Sequence, residues 1–189
     1  MAACLVSCSG RDQNLPDANI AACAVYQAFY EQLPNKGGVF FRSATLPLPP
    51  IAGGPLDQHT ELEAQLHLEG RRDSVLQRFQ QEFSIDASGY FDDLASPSTS
   101  VASCFGDGKP PIHDGTLDQA RLRAALQSFG LGADTSLVMV SPVAFSRDGL
   151  HAIIYVNQEC GGLCGGGAFY VFERRGAWVR VGTLGVWVS

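Results

Sequence analysis

The residues of this chain with the most specific chemistry are its six cysteines, and one of them completes a processing motif. Residues 5–8, Leu-Val-Ser-Cys, have the aliphatic, small, small, cysteine order that lipoprotein signal peptidase cuts before diacylglycerol is attached to the thiol. The apolar stretch before Cys8 is shorter than the core of about 7 to 15 residues that a signal peptide needs. We therefore interpret residues 1–16 as a lipobox remnant and polar tether, with Cys8 as the predicted lipidation site. The alternative is an ordinary N-terminal strand or a frayed end.

The remaining cysteines predict an oxidising compartment. With the two N-terminal cysteines set aside as signal and anchor, an even set of four remains, and four cysteines allow three pairings. We favour a bond between Cys160 and Cys164, which are close in sequence, and a second between Cys23 and Cys104. The second bond would join an N-terminal helix to a loop in the middle of the chain. The alternative is four buried, unpaired thiols.

The glycine-rich segment that contains Cys160 and Cys164 has three interpretations. Its glycines permit the positive φ angles of a wide loop closed by a disulfide. Successive backbone N–H groups in such a loop can also surround an anion. A redox pair is the third interpretation, but two-electron exchange usually uses C-x-x-C near a helix start, and the spacing here is C-x-x-x-C. We favour the structural disulfide.

No nucleophile and base have the spacing of a catalytic motif, and the G-x-S-x-G elbow of serine hydrolases does not occur. Two kinds of catalytic pair can be assembled from distant residues without diagnostic spacing. They are Cys104 with His113 or His151, and a carboxylate pair drawn from Asp92, Asp93 and Glu159. We predict no catalytic residues and no cofactor.

Two other groups of side chains resemble metal sites only weakly. His59, Glu63 and His67 follow the i, i+4, i+8 spacing of one helical face, which suits two-point metal binding. Residues 86–93 carry aspartates in the manner of a calcium loop, but the glycine is misplaced and no final glutamate completes it. A solvated helix face and a polar loop are the simpler interpretations, so we predict no metal site.

Charge argues against a nucleic-acid-binding protein, and the length of the apolar runs argues against a membrane-spanning one. The formal net charge is −6, and the 13 Lys and Arg residues form no basic stripe. Phosphate binding needs clustered positive charge, so nucleic acid is not an expected partner. No run approaches the roughly 18 apolar residues of a membrane span, so a lipid anchor is the only expected membrane attachment.

Hydrophobic periodicity predicts an α+β fold, with helices before strands. Helices are expected over residues 17–33, 60–83 with a weak point at Gly70, and 116–130, where capping signals or glycine mark the ends. A strand is expected over residues 39–46, and residues 84–115 resemble a long polar loop. The C-terminal strands are expected over residues 137–145, 150–157, 168–173, 177–181 and 184–188.

Turn residues then set the arrangement of these elements. Asp148-Gly149 and Arg175-Gly176 mark tight hairpins, so the last strands should form an antiparallel β-meander of four or five strands. The predicted architecture is a single domain over residues 17–189, with the N-terminal helices packed on one face of that sheet.

One surface of the predicted sheet carries aromatic and polar side chains. Alternation along residues 150–157 places His151, Tyr155 and Asn157 on one face. The neighbouring strands extend this face if their register permits, and aromatic and arginine side chains often dominate interface energies. The alternative is that helices cover this face as core. The candidate partner-binding residues are His151, Tyr155, Asn157, Tyr170, Arg174 and Trp178.

The C-terminal motifs also resemble a known group. They are SPVAFS at residues 141–146, CGGLCGGG at 160–167, GAW at 176–178 and WVS at 187–189. Together they resemble the end of a group of uncharacterised bacterial exported proteins, in which a CGxLCGxG-like loop precedes a G-x-W turn and a closing W-[VI]-S. The resemblance covers roughly the last 50 residues. It implies a related fold and an envelope location, and it brings no catalytic residues with it.

These features together favour a protein-binding role. An export motif, an acidic domain and the lack of a catalytic motif predict a periplasm-facing, non-enzymatic lipoprotein whose partner is a secreted toxin or an envelope protein. The most concrete form of this hypothesis is an immunity-type toxin inhibitor. The alternatives are a small periplasmic hydrolase with an unrecognised site and a domain that binds a small ligand between helix and sheet.

Overall fold

A computed structural model describes residues 18–33, 39–45, 72–97, 100–106, 112–113, 136–159 and 165–188. The elements in chain order are α1 (Ala18–Glu31), β1 (Val39–Arg42), α2 (Arg72–Phe83), α3 (Tyr90–Leu94), a 3-10 helix (Ala102–Cys104), β2 (Ile112–His113), β3 (Ser136–Val140), β4 (Ala144–Phe145), β5 (His151–Glu159), β6 (Gly165–Arg175) and β7 (Ala177–Val188). The predicted α+β class is confirmed.

The strands form one mixed sheet. Six lie side by side in the order β2-β1-β3-β5-β6-β7, and the short β4 pairs with β5 off this path. The strands from β3 to β7 pair only antiparallel with one another, which confirms the predicted C-terminal meander. β1 pairs in parallel with both β2 and β3. The sheet is therefore mixed. The sequence did not predict this parallel pairing, because a parallel pair depends on a long connection and not on a local pattern.

Helices cover both faces of the sheet, so the prediction of a single covered face is wrong. Ile153 and Tyr155 of β5 pack in a cluster with residues of α2 and α3, which we call the α2 face. Ile154 and Val156 pack in a second cluster with residues of α1 and the 3-10 helix, which we call the α1 face. Residues 152–157 are all buried, as expected for a central strand enclosed on both sides.

The α2 face is built on the apolar stripe that the helical period predicts. Val75 and Phe79 are buried, and Phe79 contacts Phe169 of β6 edge to face, with ring centroids 5.4 Å apart. The helix ends at Phe83, and Ser84 follows it with a left-handed φ of 58°. The predicted beginning near residue 60 lies outside the described residues.

The α1 face is tied to the rest of the chain by a covalent bond. α1 buries Val25, Tyr26, Phe29 and Tyr30, whose i, i+4 spacing places them on one face of the helix. The predicted bond between Cys23 and Cys104 is present, and it joins α1 to the 3-10 helix across a sequence separation of 81. Burial of one helix face and this bond together hold α1 on the sheet.

Three predicted boundaries need correction. The predicted loop over residues 84–115 contains α3, the 3-10 helix and β2, elements of five, three and two residues, which are too short to show a period. The predicted strand over residues 137–145 is split at Ser141. The Ser141 amide still donates to the Tyr155 carbonyl at 2.8 Å, but the Tyr155 amide donates to Ser141 Oγ, also at 2.8 Å, and not to the Ser141 carbonyl. The last two predicted strands are one strand with register shifts. The predicted helix over residues 116–130 lies outside the described part of the chain.

A glycine in β7 allows α2 to approach the sheet, which predicts a specific effect on stability. A Cβ atom at Gly182 would overlap the ring of Phe83, so Gly182→Ala should lower the free energy of unfolding by about 1 to 2 kcal/mol. Gly185→Ala is the matched control, because a Cβ there meets nothing within 4 Å. Its effect should stay within about 0.5 kcal/mol. Urea unfolding of both variants measures the difference, and equal losses would contradict the close packing of α2 on β7.

Candidate functional site

The pairing register divides the predicted contact residues between the two faces of the sheet. Ile154 pairs with Tyr170, whereas Tyr155 pairs with Phe169, so Tyr155 and Tyr170 lie on opposite faces. Arg174 pairs with Trp178 and shares the α1 face with Tyr170. The α2 face holds His151, Tyr155 and Asn157. The prediction of one continuous surface across these strands is therefore wrong.

Two of the predicted contact residues belong to the interior. Tyr155 is 3% exposed and Asn157 is 4% exposed, so neither is presented to a partner. The Tyr155 hydroxyl accepts a hydrogen bond from Trp187 Nε1 at 2.9 Å. Both groups occupy the space that a Cβ at Gly167 would need. Asn157 Oδ1 is buried and has no hydrogen-bond partner in the part of the chain that the structure describes.

The buried phenol predicts a loss of stability in alkali. Burial raises the pKa of Tyr155 to about 12, whereas a tyrosine in an unfolded chain has a pKa of about 10. Between these values the unfolded chain ionises first, so the free energy of unfolding should fall by about 2 kcal/mol as the pH rises. Tyr155→Phe should remove most of this loss, while Tyr170→Phe, at a half-buried site, should keep it. Urea unfolding at pH 9 to 12 tests the difference, and an unchanged alkaline loss in Tyr155→Phe would contradict it.

The residues that could have formed a catalytic pair have different places in the structure. Asp92 and Asp93 are exposed on α3. Cys104 is bonded to Cys23, so it is not a free thiol. The His151 amide donates to Ser146 Oγ at 2.8 Å, and that hydroxyl donates to Asp148 Oδ1. These bonds close the β4–β5 turn, and the second holds the pKa of Asp148 below its usual value. The side chains of His113 and Glu159 are not among those described.

The described residues contain no metal site, and the predicted lipidation site lies outside them. Asp86 accepts hydrogen bonds from the amide and hydroxyl of Ser88, as in a local turn. Within the described ranges, no three His, Cys, Asp or Glu side chains are grouped to hold a metal ion. No helix in those ranges is long and apolar enough to cross a membrane. The remaining predicted residues outside the described part are Cys8, His59, Glu63, His67, Cys160 and Cys164.

A cleft of about 550 Å³ lies on the α1 face, between α1 and the β6–β7 hairpin. On the helix side it is lined by three alanines and four larger residues, because the buried aromatic residues of α1 turn toward the sheet. The lining residues there are Ala21, Ala24 and Ala28, with Ile20, Gln27, Glu31 and Gln32. Gly176, with a φ of 80°, forms the hairpin turn on the other side. Gln32 Oε1 accepts a hydrogen bond from the Arg180 amide at 3.2 Å and holds the end of α1 beside β7.

The hairpin side of the cleft is lined by Arg174 and Trp178. Tyr170 and Arg180 lie beside them on the same face of the sheet, outside the lining, and we call the four residues the basic and aromatic wall. Arg174 stands opposite Trp178 in the register, and Trp178 packs on Phe145 with ring centroids 5.8 Å apart. The Arg180 guanidinium lies 5.7 Å from the Tyr170 ring centroid. Burial raises the pKa of Tyr170, and the charge of Arg180 partly opposes that shift. The wall therefore combines flat apolar area with positive charge.

Sequence reasoning found three residues of this wall but missed the helix side of the cleft. The helical period groups Ile20 with the apolar residues of α1, which predicts that it is buried. Ile20 is instead 64% exposed and lines the cleft. The signal that could have located it is the run of alanines in α1, because small side chains leave space where a helix meets a sheet.

Comparisons with known protein families, with curated proteins and with solved structures find no match.

Proposed function

We propose that this chain is a non-enzymatic protein-binding domain and that the cleft beside α1 is its contact surface. The observation that carries the proposal is the cleft itself, with Trp178 and Arg174 on one side and exposed Ile20 on the other. Tryptophan and arginine are the side chains that most often dominate the energy of protein interfaces. An exposed isoleucine beside them extends the apolar area that a partner would bury.

The proposal includes a cellular location and a partner. We propose a periplasm-facing lipoprotein, anchored through Cys8, that occludes a secreted toxin as an immunity-type inhibitor. The lipobox order of residues 5–8 supports the anchor, and the bond between Cys23 and Cys104 suits an oxidising compartment. Mass spectrometry of detergent-extracted protein from native cells tests the anchor. An unmodified Cys8 in that material would remove the lipid anchor from the proposal.

A small-ligand-binding domain is the second candidate, because the cleft volume falls within the range of about 300 to 1,000 Å³ that ligand pockets show. A protein partner and a small ligand would cover different parts of this surface. A protein partner would cover the exposed surface of Ile20 as well as the cleft, whereas a small ligand would fill the cleft alone.

The partner proposal predicts a large effect at Trp178. Trp178→Ala should weaken binding by about 2 kcal/mol or more, a factor of about 30, if the cleft is the centre of the interface. Val188→Ala, at an 89% exposed site on the same strand, is the control and should bind as the wild type does. The test expresses the product of the adjacent gene in the periplasm with and without this protein, and measures survival together with direct binding. No rescue and no complex, together with turnover of a cell-wall or peptide substrate, would replace the proposal with the hydrolase.

A further inference from the structure

We infer that the outer edge of β7 is a strand-pairing surface for a second copy of this chain, and that Gln32 and Arg78 cap this edge in the monomer. The inference does not rest on the proposed function. β7 is the last strand in the order β2-β1-β3-β5-β6-β7, so within the described part of the chain it pairs only with β6. A strand at the edge of a sheet presents backbone N–H and C=O groups that a further strand can bind.

The side chains of β7 give this edge little of the usual protection against pairing. Residues 177–188 contain no lysine and no proline, and Arg180 is their only charged residue. Val179 and Val181 are 38% and 39% exposed. Valine is favoured in strands, where it packs against neighbouring strands. The composition of the edge therefore suits another strand as its occupant.

Two hydrogen bonds show which backbone groups of β7 point away from β6. The Arg180 amide donates to Gln32 Oε1 at 3.2 Å, and the Gly185 carbonyl accepts from Arg78 Nη1 at 3.0 Å. The register is regular over residues 182–185, so Thr183, two positions before Gly185, presents its own amide and carbonyl on the same outer side. These two groups of Thr183 have no hydrogen-bond partner among the described residues.

The two capping side chains reach the edge from opposite faces of the sheet. Gln32 follows the end of α1, whereas Arg78 belongs to α2. Arg78 Nε also pairs with Glu82 at 3.0 Å, which orients the guanidinium toward the Gly185 carbonyl. A further strand that pairs along β7 must first displace both side chains. In the monomer the caps therefore leave only the backbone groups of Thr183 open between them.

The outward groups of β7 match those of a second copy. In an antiparallel pair centred on Leu184, Thr183 of one copy stands opposite Gly185 of the other, and both point outward, as a hydrogen-bonded pair requires. A two-fold axis repeats this pair, so the contact closes with two copies. The same register places Arg180 opposite Val188 of the other copy. Like charges therefore do not meet, and a second copy fits the edge once the caps are released.

Sedimentation velocity of the oxidised full chain over a range of concentrations tests this inference. We expect the wild type to sediment as a monomer and Gln32→Ala with Arg78→Ala to form a dimer. The dissociation constant of this double variant should lie at least about tenfold below the limit found for the wild type, because pairing no longer breaks the capping hydrogen bonds. Gln77→Ala with Arg175→Ala is the matched control, with the same residue types and the same loss of charge at exposed sites off the edge, and it should stay monomeric.

Two further variants separate strand pairing from a damaged fold. Thr183→Pro, added to the double variant, removes an outward amide and leaves the ladder with β6 in place, so it should restore the monomer. Gln32→Glu with Arg78→Lys retains an acceptor and a donor at the two caps and should also stay monomeric.

Three results would overturn the inference. The first is a double variant that keeps its circular dichroism spectrum and sediments as a monomer at every concentration. The second is a dimer that persists in the presence of Thr183→Pro, and the third is a wild type that dimerises as strongly as the double variant. If the double variant unfolds, Gln32→Ala and Arg78→Ala are measured singly, and a monomer in both would also overturn it.

Discussion

Replacing Cys23 and Cys104 together by alanine is expected to lower the free energy of unfolding by about 4 to 5 kcal/mol. The bond spans 81 positions, so it removes many conformations from the unfolded chain. It also joins two elements that contact each other directly, since Gln27 Nε2 of α1 donates a hydrogen bond to the Cys104 carbonyl. Loss of the bond should therefore weaken the attachment of α1, which its buried residues Val25, Tyr26, Phe29 and Tyr30 still maintain.

Urea unfolding of the oxidised variant and wild type measures this loss. Cys160→Ala with Cys164→Ala is the control, because a bond between residues so close in sequence would contribute only about 2 kcal/mol in the same chain-entropy description. A loss below about 2 kcal/mol in the Cys23 and Cys104 variant would contradict the entropic role assigned to this bond. Peptide mapping without reductant checks both pairings in the same samples.

Phe169→Ala is expected to lower the free energy of unfolding by about 3 to 5 kcal/mol. Phe169 is fully buried on the α2 face, and its ring lies among those of Phe79, Phe91 and Tyr155 at centroid distances of 5.4, 5.6 and 5.0 Å. Removing it leaves a cavity beneath both α2 and α3, and the surrounding rings can fill that cavity only in part.

Two further variants make this prediction specific. Phe169→Leu retains most of the volume and should cost less than half as much as Phe169→Ala, since overall packing is preserved. Val188→Ala removes an exposed apolar group and should change the free energy of unfolding by less than about 0.5 kcal/mol. Similar losses in Phe169→Leu and Phe169→Ala would show that the α2 face does not depend on how its rings are packed.

Local sequence was enough to predict the elements that form through local interactions. The α1 helix lies within residues 17–33, as its apolar stripe predicts, and both hairpin turns contain a glycine at positive φ, with 68° at Gly149 and 80° at Gly176. These features follow from side-chain period and from backbone conformations that glycine adopts without a steric penalty. The fold class and the C-terminal meander follow from the same signals. The lipid anchor and the bond between Cys160 and Cys164 stay predictions.

The site depended on contacts between residues far apart in sequence. Tyr155 and Tyr170 are similar residues on neighbouring strands, yet the register sends one into the core of the α2 face and the other into the basic and aromatic wall. A shift of one residue in that register would place both tyrosines on the same face, and no local pattern sets it.

The sequence by itself determined the helices and strands with clear periods, the hairpin turns and the chemistry that each side chain can offer. Only the tertiary structure decided which side chains meet, because burial on both faces of the sheet, the parallel pairing of β1 with β3 and the space beside α1 all come from long-range packing. Arg174 and Trp178 were recognisable as binding residues from their types. They line a cleft because α1 packs on the sheet beside them and presents its alanines to the same space.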